Sequence, residues 1–149
     1  MATTVGTSGD FATLIENMLS LERDAIAAYE ATIERLEDAG RKQTVAGFKA
    51  DHERHVAELE RLAREHDATI PDEGDLKQML TTGKVKLGGL MGEGALLKAM
   101  SSKEDDTIAA YRHAVENDAV PASAKPVFEA ALSDERRHKA WMDEAAAAA

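Results

Sequence analysis

The sequence predicts an all-α protein, an antiparallel four-helix bundle with one long crossover between its second and third helices. Three observations point there. Hydrophobic residues make up 44% of the 149-residue chain and aromatics only 4%, in a mix rich in helix-forming Ala, Glu, Leu, Lys and Arg. Four stretches repeat apolar residues every three or four positions, the period of an amphipathic helix. The chain also repeats itself: Glu22-Arg-Asp-Ala-Ile-Ala-Ala-Tyr29 matches Glu104-Asp-Asp-Thr-Ile-Ala-Ala-Tyr111 at an offset of 82, and Asp51-His-Glu-Arg-His55 matches Asp134-Glu-Arg-Arg-His138 at an offset of 83. Two copies of a helical hairpin joined by a long connection form a bundle with approximate two-fold symmetry.

Residues 1–9 are polar and read as a flexible N-terminal tail, with no apolar segment of a secretory signal. Residues 10–149 read as a single domain built from hairpins 10–67 and 95–144. Asp10 is the N-cap expected for the first helix. Its stripe is Phe11, Ile15, Met18, Glu22, Ala25, Tyr29, Ile33 and Leu36, and Gly40 is the expected stop. The second helix is expected from about Arg41 to Asp67, with Val45, Phe48, His52, His55, Leu59, Leu62 and His66 on one face. A short link makes the two antiparallel. Residues 68–94 contain Pro71 and six glycines, and read as the crossover, with one or two helical turns around Asp75 to Leu80. The third helix starts near Ala95 and carries Leu97, Met100, Glu104, Thr107 or Ile108, Tyr111 and Val115. After the turn at Pro121 the fourth helix begins, with Pro126 in its first turn, where a missing N–H costs nothing. Its stripe is Phe128, Ala131, Glu135, His138 and Met142.

Glu22, His52, His55, Glu104, Glu135 and His138 all fall on stripe positions otherwise held by apolar side chains. An unpaired buried carboxylate is very costly. Six polar intrusions at matching heights ask for a shared partner, and metal ions are a natural one. Residues i and i+3 point the same way on a helix, so Glu135-Arg-Arg-His138 can present a carboxylate and an imidazole together. Di-metal carboxylate bundles use a lone Glu from each of two helices and a Glu-x-x-His from each of the other two. Glu22 and Glu104 fit the lone positions.

These residues resemble the ferritin-like superfamily, which includes bacterioferritin and rubrerythrin. The seven-residue step from Glu22 to Tyr29 looks like the first-helix pattern of bacterioferritin-type sites. Residues 10 to 144, including Asp75-Leu-Lys and Glu104-Asp105, are similar to a bacterial ferritin-like family of unknown function. The resemblance implies a di-iron or di-manganese centre that handles iron, dioxygen or peroxide, as in a ferroxidase or peroxidase-like oxidoreductase. One position departs from that pattern: His52 stands where the second helix should supply Glu. A missing bridging carboxylate weakens the second ion, and leaves open a single metal, a zinc or manganese occupant, or an empty degenerate site. A non-enzymatic helical stress or interaction protein, its Glu/His layer structural, is the alternative. Tyr29 and Tyr111 read as core residues, and His66 and His113 as surface histidines.

The chain has no cysteine, which excludes disulfides, iron–sulfur clusters and thiolate zinc sites. Its formal charge is −10, with 28 acids against 18 bases, which disfavours nucleic acid and anionic membrane as partners. No apolar run reaches the length of a membrane span. The expectations are a cytoplasmic location, metal ions as partners, and a homodimer as the assembly. Metal affinity should fall as pH drops through the ordinary histidine range, near ~6.5.

Overall fold

The structure, a computed structural model, describes residues 3–70 and 92–149. Among these residues there are four helices and no strand: α1 (Phe11–Arg35), α2 (Ala39–Glu65), α3 (Glu93–Glu116) and α4 (Lys125–Ala148). None is long and apolar enough to cross a membrane. The turns expected around Asp75 to Leu80 lie outside the described residues.

Asp10 caps α1 as expected, its carboxylate accepting from the Thr13 amide at 3.0 Å. Gly40 does not end that helix. α1 stops at Arg35, and Asp38 caps α2 by accepting from the Arg41 amide at 2.8 Å. Gly40 therefore lies inside the first turn of α2. A side-chain cap two residues upstream outweighs the helix-stop tendency of one glycine. α3 begins at Glu93 rather than Ala95, since the Glu93 carboxylate accepts from the backbone N–H groups of Glu37 and Asp38 and pairs with Arg41. One side chain thus ties the start of α3 to the α1–α2 turn.

α1 packs on α2 and α3, and α4 on α3 and α2. Leu14, Leu62, Ala114 and Phe128 share one core cluster, and Leu36, Val45, Leu97 and Met142 share another. The first lies near the start of α1 and the end of α2, the second at the opposite end. Every adjacent pair is therefore antiparallel. α2 finishes at one end of the bundle and α3 begins at the other.

Residues 5–8 are not a free tail. His113 Nδ1 lies 3.0 Å from the Val5 carbonyl, and the Asn117 amide donates to the carbonyls of Gly6 and Ser8. Gly6 has φ +89°, and a Cβ there would sit 2.3 Å from the Ala110 carbonyl oxygen, so only glycine fits. His113 is accordingly half-buried, not a surface histidine. His66 is exposed and packs edge-on to Phe11.

Candidate metal centre

Between the two apolar clusters lies a polar layer. Glu22, His52, Glu104, Glu135 and His138 are at most 1% exposed, and His55 is 6% exposed. α1 supplies Glu22, α2 His52 and His55, α3 Glu104, and α4 Glu135 and His138. All six expected residues meet here. They form two overlapping groups: Glu22, His52, His55 and Glu135, and His52, Glu104, Glu135 and His138. In each, one nitrogen or oxygen per residue lies within 4.8 Å of all the others. His52 and Glu135 belong to both.

The outer contacts obey the internal repeat and cross between the hairpins. His138 Nε2 lies 2.8 Å from Asp51, and His55 Nε2 2.9 Å from Asp134. Each aspartate thus holds the imidazole of the opposite hairpin with its Nδ1 turned inward. Arg54 and Arg137 each donate to both aspartates, closing a four-member ring of charge over the layer. The tyrosines exchange partners too. Tyr29 donates to Glu104 and Tyr111 to Glu22, each at 2.5 Å. Both hydroxyls are held well above their ordinary pKa, by burial first and then by the nearby carboxylates, so they remain donors. The sequence marked both tyrosines as core residues, and they are buried, but their hydroxyls bind the layer.

The inner contacts break the repeat. His52 Nδ1 lies 2.6 Å from Glu22, and its Nε2 lies 3.5 Å from both Glu104 and Glu135. Burial opposes charge on this ring, but Glu22 and Glu135 outweigh it and hold His52 well above 6.5. Burial likewise opposes protonated His55, yet the carboxylates of Glu135 and Glu22, 3.3 and 3.2 Å from its Nδ1, raise it to about 10. Burial works against the carboxylates of Glu22 and Glu135 as well. Facing His52 lowers both, Glu135 more strongly. Glu104 goes the other way: burial and the neighbouring Glu135 push it up to about 7. The Thr107 hydroxyl lies 2.9 Å from both Glu104 and Glu135. It has one hydrogen to donate, so this bridge is best satisfied when one carboxylate carries a proton. His52 and His55 therefore keep their protons above the ordinary histidine range, because buried carboxylates hold them.

Among the described residues, three buried atoms of this layer have no hydrogen-bond partner: His52 Nε2, Glu135 Oε1 and His138 Nδ1. His138 Nδ1 is 3.8 Å from Glu135 and 4.0 Å from Glu104. A buried polar atom left unbonded costs about 1–3 kcal/mol. All three can coordinate a cation, and the donor set of imidazole nitrogens and carboxylate oxygens suits iron, manganese or zinc. The layer thus fits a metal centre.

Sequence reasoning missed Asp51, Asp134 and Thr107. The aspartates were visible in the repeat, but their partners belong to the other hairpin. Thr107 stands three residues after Glu104, where the first hairpin has Ala25, and that difference was the available signal.

Residues 10–117 match the family model described as a domain of unknown function (DUF2383), and the chain belongs to that family. No curated protein and no solved structure matched the chain.

Proposed function

We propose that this DUF2383 member is a ferritin-like metal-binding protein that handles iron and reacts with dioxygen or peroxide, with manganese or zinc as the other metals its donors would take. The observation that carries the reading is the set of three buried ligand atoms without a hydrogen-bond partner, His52 Nε2, Glu135 Oε1 and His138 Nδ1, on residues that belong with Glu104 to one group whose donor atoms lie within 4.8 Å of one another. The antiparallel bundle and its long connection between α2 and α3 support the ferritin-like part.

The two subsites are unequal in this reading. His138 Nδ1, His52 Nε2, Glu104 and Glu135 would hold the stronger ion. With Nε2 committed there, His52 keeps its Nδ1 on Glu22 at 2.6 Å. Glu22, His55 and Glu135 remain for a second, weaker ion. A redox-active metal held here would supply the one-electron chemistry that dioxygen or peroxide requires. The protein's share is to orient His138 and His55 through Asp51 and Asp134, to hold Glu104 and Glu22 through the two tyrosines, and to keep water from the layer.

A metal-free structural layer is the second reading. It is favoured by how many of the groups already satisfy one another, notably His52 with Glu22 and both tyrosines with carboxylates. Metal analysis of protein purified without chelator, followed by titration of iron(II), manganese(II) and zinc(II) into the metal-free chain, tests the two. Tight uptake of about one equivalent, and consumption of dioxygen or peroxide by the iron form, is expected. No uptake at micromolar metal would leave the structural reading.

A further inference from the structure

The seam between α2 and α4 is closed on one side of the centre and open on the other. Beside His138 it is filled. Phe48 stacks on the imidazole, with ring centroids 4.3 Å apart at 29°, and Trp141 packs edge-on against Phe48 at 5.4 Å. The repeat places Ala131 where the first hairpin has Phe48, and Glu58 where the second has Trp141. Beside His55, accordingly, the equivalent space is a cavity of about 320 Å³, bounded by His55, Leu59, Tyr111, Val127, Ala131 and Asp134. His55 is also the most exposed of the six layer residues.

We infer that this cavity binds a small uncharged aromatic alcohol, its ring stacked on His55 as Phe48 stacks on His138, and that the centre meets its small-molecule partner from this side. Only the second half of that inference rests on the metal reading. The volume lies at the lower end of ligand-pocket sizes, which suits a single ring. The walls from Leu59, Val127 and Ala131 are apolar. Charges at the rim are already matched: Arg54 donates to Asp51 and Asp134, and Glu58 accepts from Arg61. Among the described residues a charged ligand would find no free counter-charge at the rim, and the formal charge of −10 disfavours an anion further. Asp134 accepts from Arg54 and His55 through one oxygen, and carboxylate oxygens have further lone pairs, so one hydroxyl can donate there.

Phenol is the probe. Titrated into the full metal-free chain and followed by amide NMR, it should shift signals near residues 54–59 and 126–134, with a dissociation constant of about 1 mM or tighter. Ala131→Phe should weaken binding at least ~10-fold by supplying the ring that the first hairpin carries at the equivalent position, equivalent to about 1.4 kcal/mol. Ala130→Met, which fills the cavity from its rim, should also weaken it if Ala131→Phe fails to fold. With manganese(II) bound, relaxation of the phenol protons should be strongly enhanced. Undiminished binding to both filled variants, or no binding at ~10 mM phenol, overturns the inference, as does a cavity shown to be closed by a second copy of the chain. Phenol binding without manganese uptake removes the metal reading and leaves the cavity. Manganese uptake without phenol binding does the reverse.

Discussion

The two hairpins present nearly the same residues to the polar layer, yet the halves of the centre differ. Asp51 and Asp134, Arg54 and Arg137, Tyr29 and Tyr111, and His55 and His138 are equivalent pairs that make equivalent, crossed contacts. Among the unequal pairs, three bear directly on the centre. His52 faces Glu135, Ala25 stands for Thr107, and Phe48 stands for Ala131. The first places an imidazole where a bridging carboxylate would serve both ions. The second leaves Glu22 without the hydroxyl that Thr107 gives Glu104 and Glu135. The third seals the His138 side and opens the His55 side. A symmetric frame of outer contacts thus carries an asymmetric centre, so the two ions and the two approaches should be distinguishable.

The largest expected effect comes from His138→Ala. It removes the imidazole of the stronger subsite and should weaken metal binding by at least ~100-fold in calorimetric titration, about 2.7 kcal/mol. His55→Ala should weaken only the second equivalent. If the two variants lose the same equivalent to the same extent, the halves are not different and the comparison breaks.

His52→Glu should sharpen it. Restoring a bridging carboxylate should raise uptake from about one equivalent toward two, with the second ion tightened roughly 10–100-fold. The same change puts a fourth carboxylate beside Glu22, Glu104 and Glu135, so the metal-free variant should be less stable, by about 3–5 kcal/mol in denaturant unfolding. A variant that gains no second ion would count against the missing carboxylate as the cause.

Asp51→Asn and Asp134→Asn test the frame. Each should weaken one subsite by about 10–100-fold through loss of imidazole orientation. Because the contacts cross, Asp51→Asn should act on the His138 ion and Asp134→Asn on the His55 ion. The opposite assignment would mean that the crossed pairing is wrong.

The smallest effect is the pH dependence of the metal-free protein. His55 is raised from 6.5 to about 10 on folding, so its contribution to stability is full below pH 6.5 and is lost as pH rises toward 10. Glu104, raised from 4.5 to about 7, loses its contribution as pH rises from 4.5 through 7. Glu22 and Glu135 are lowered, so they contribute above pH 4.5 and lose that contribution as pH falls through their folded values. Thermal stability without metal should therefore peak between about pH 4.5 and 6.5 and decline above. Metal binding displaces protons from His52 and His55, so the rise in melting temperature on adding zinc should grow from pH 6.5 to 9. A flat profile would show that these imidazoles are not held protonated by the layer.

By itself the sequence determined the four helices, their pairing into two hairpins and the six residues of the layer. Those features are periodic and local: an apolar stripe of period 3.6 identifies a buried face, and a Glu or His on that face must lie inside whatever the partner helix. The repeat likewise exposed His52 as the position out of pattern. Boundaries were less legible. Asp38 and Glu93 set where α2 and α3 begin, and Glu93 does so across 55 residues of sequence. Only the tertiary structure decided that Asp51 serves His138 and Asp134 serves His55, that Tyr29 and Tyr111 exchange carboxylates, and that residues 5–8 dock on the end of α3. It also decided which side of the centre is open. Ala131 in place of Phe48 is one of many unequal pairs in the repeat, and it becomes a cavity only because α2 and α4 hold that position against His55. Such contacts join residues far apart in the chain, and their partners are chosen by how the hairpins pack, which no local period records.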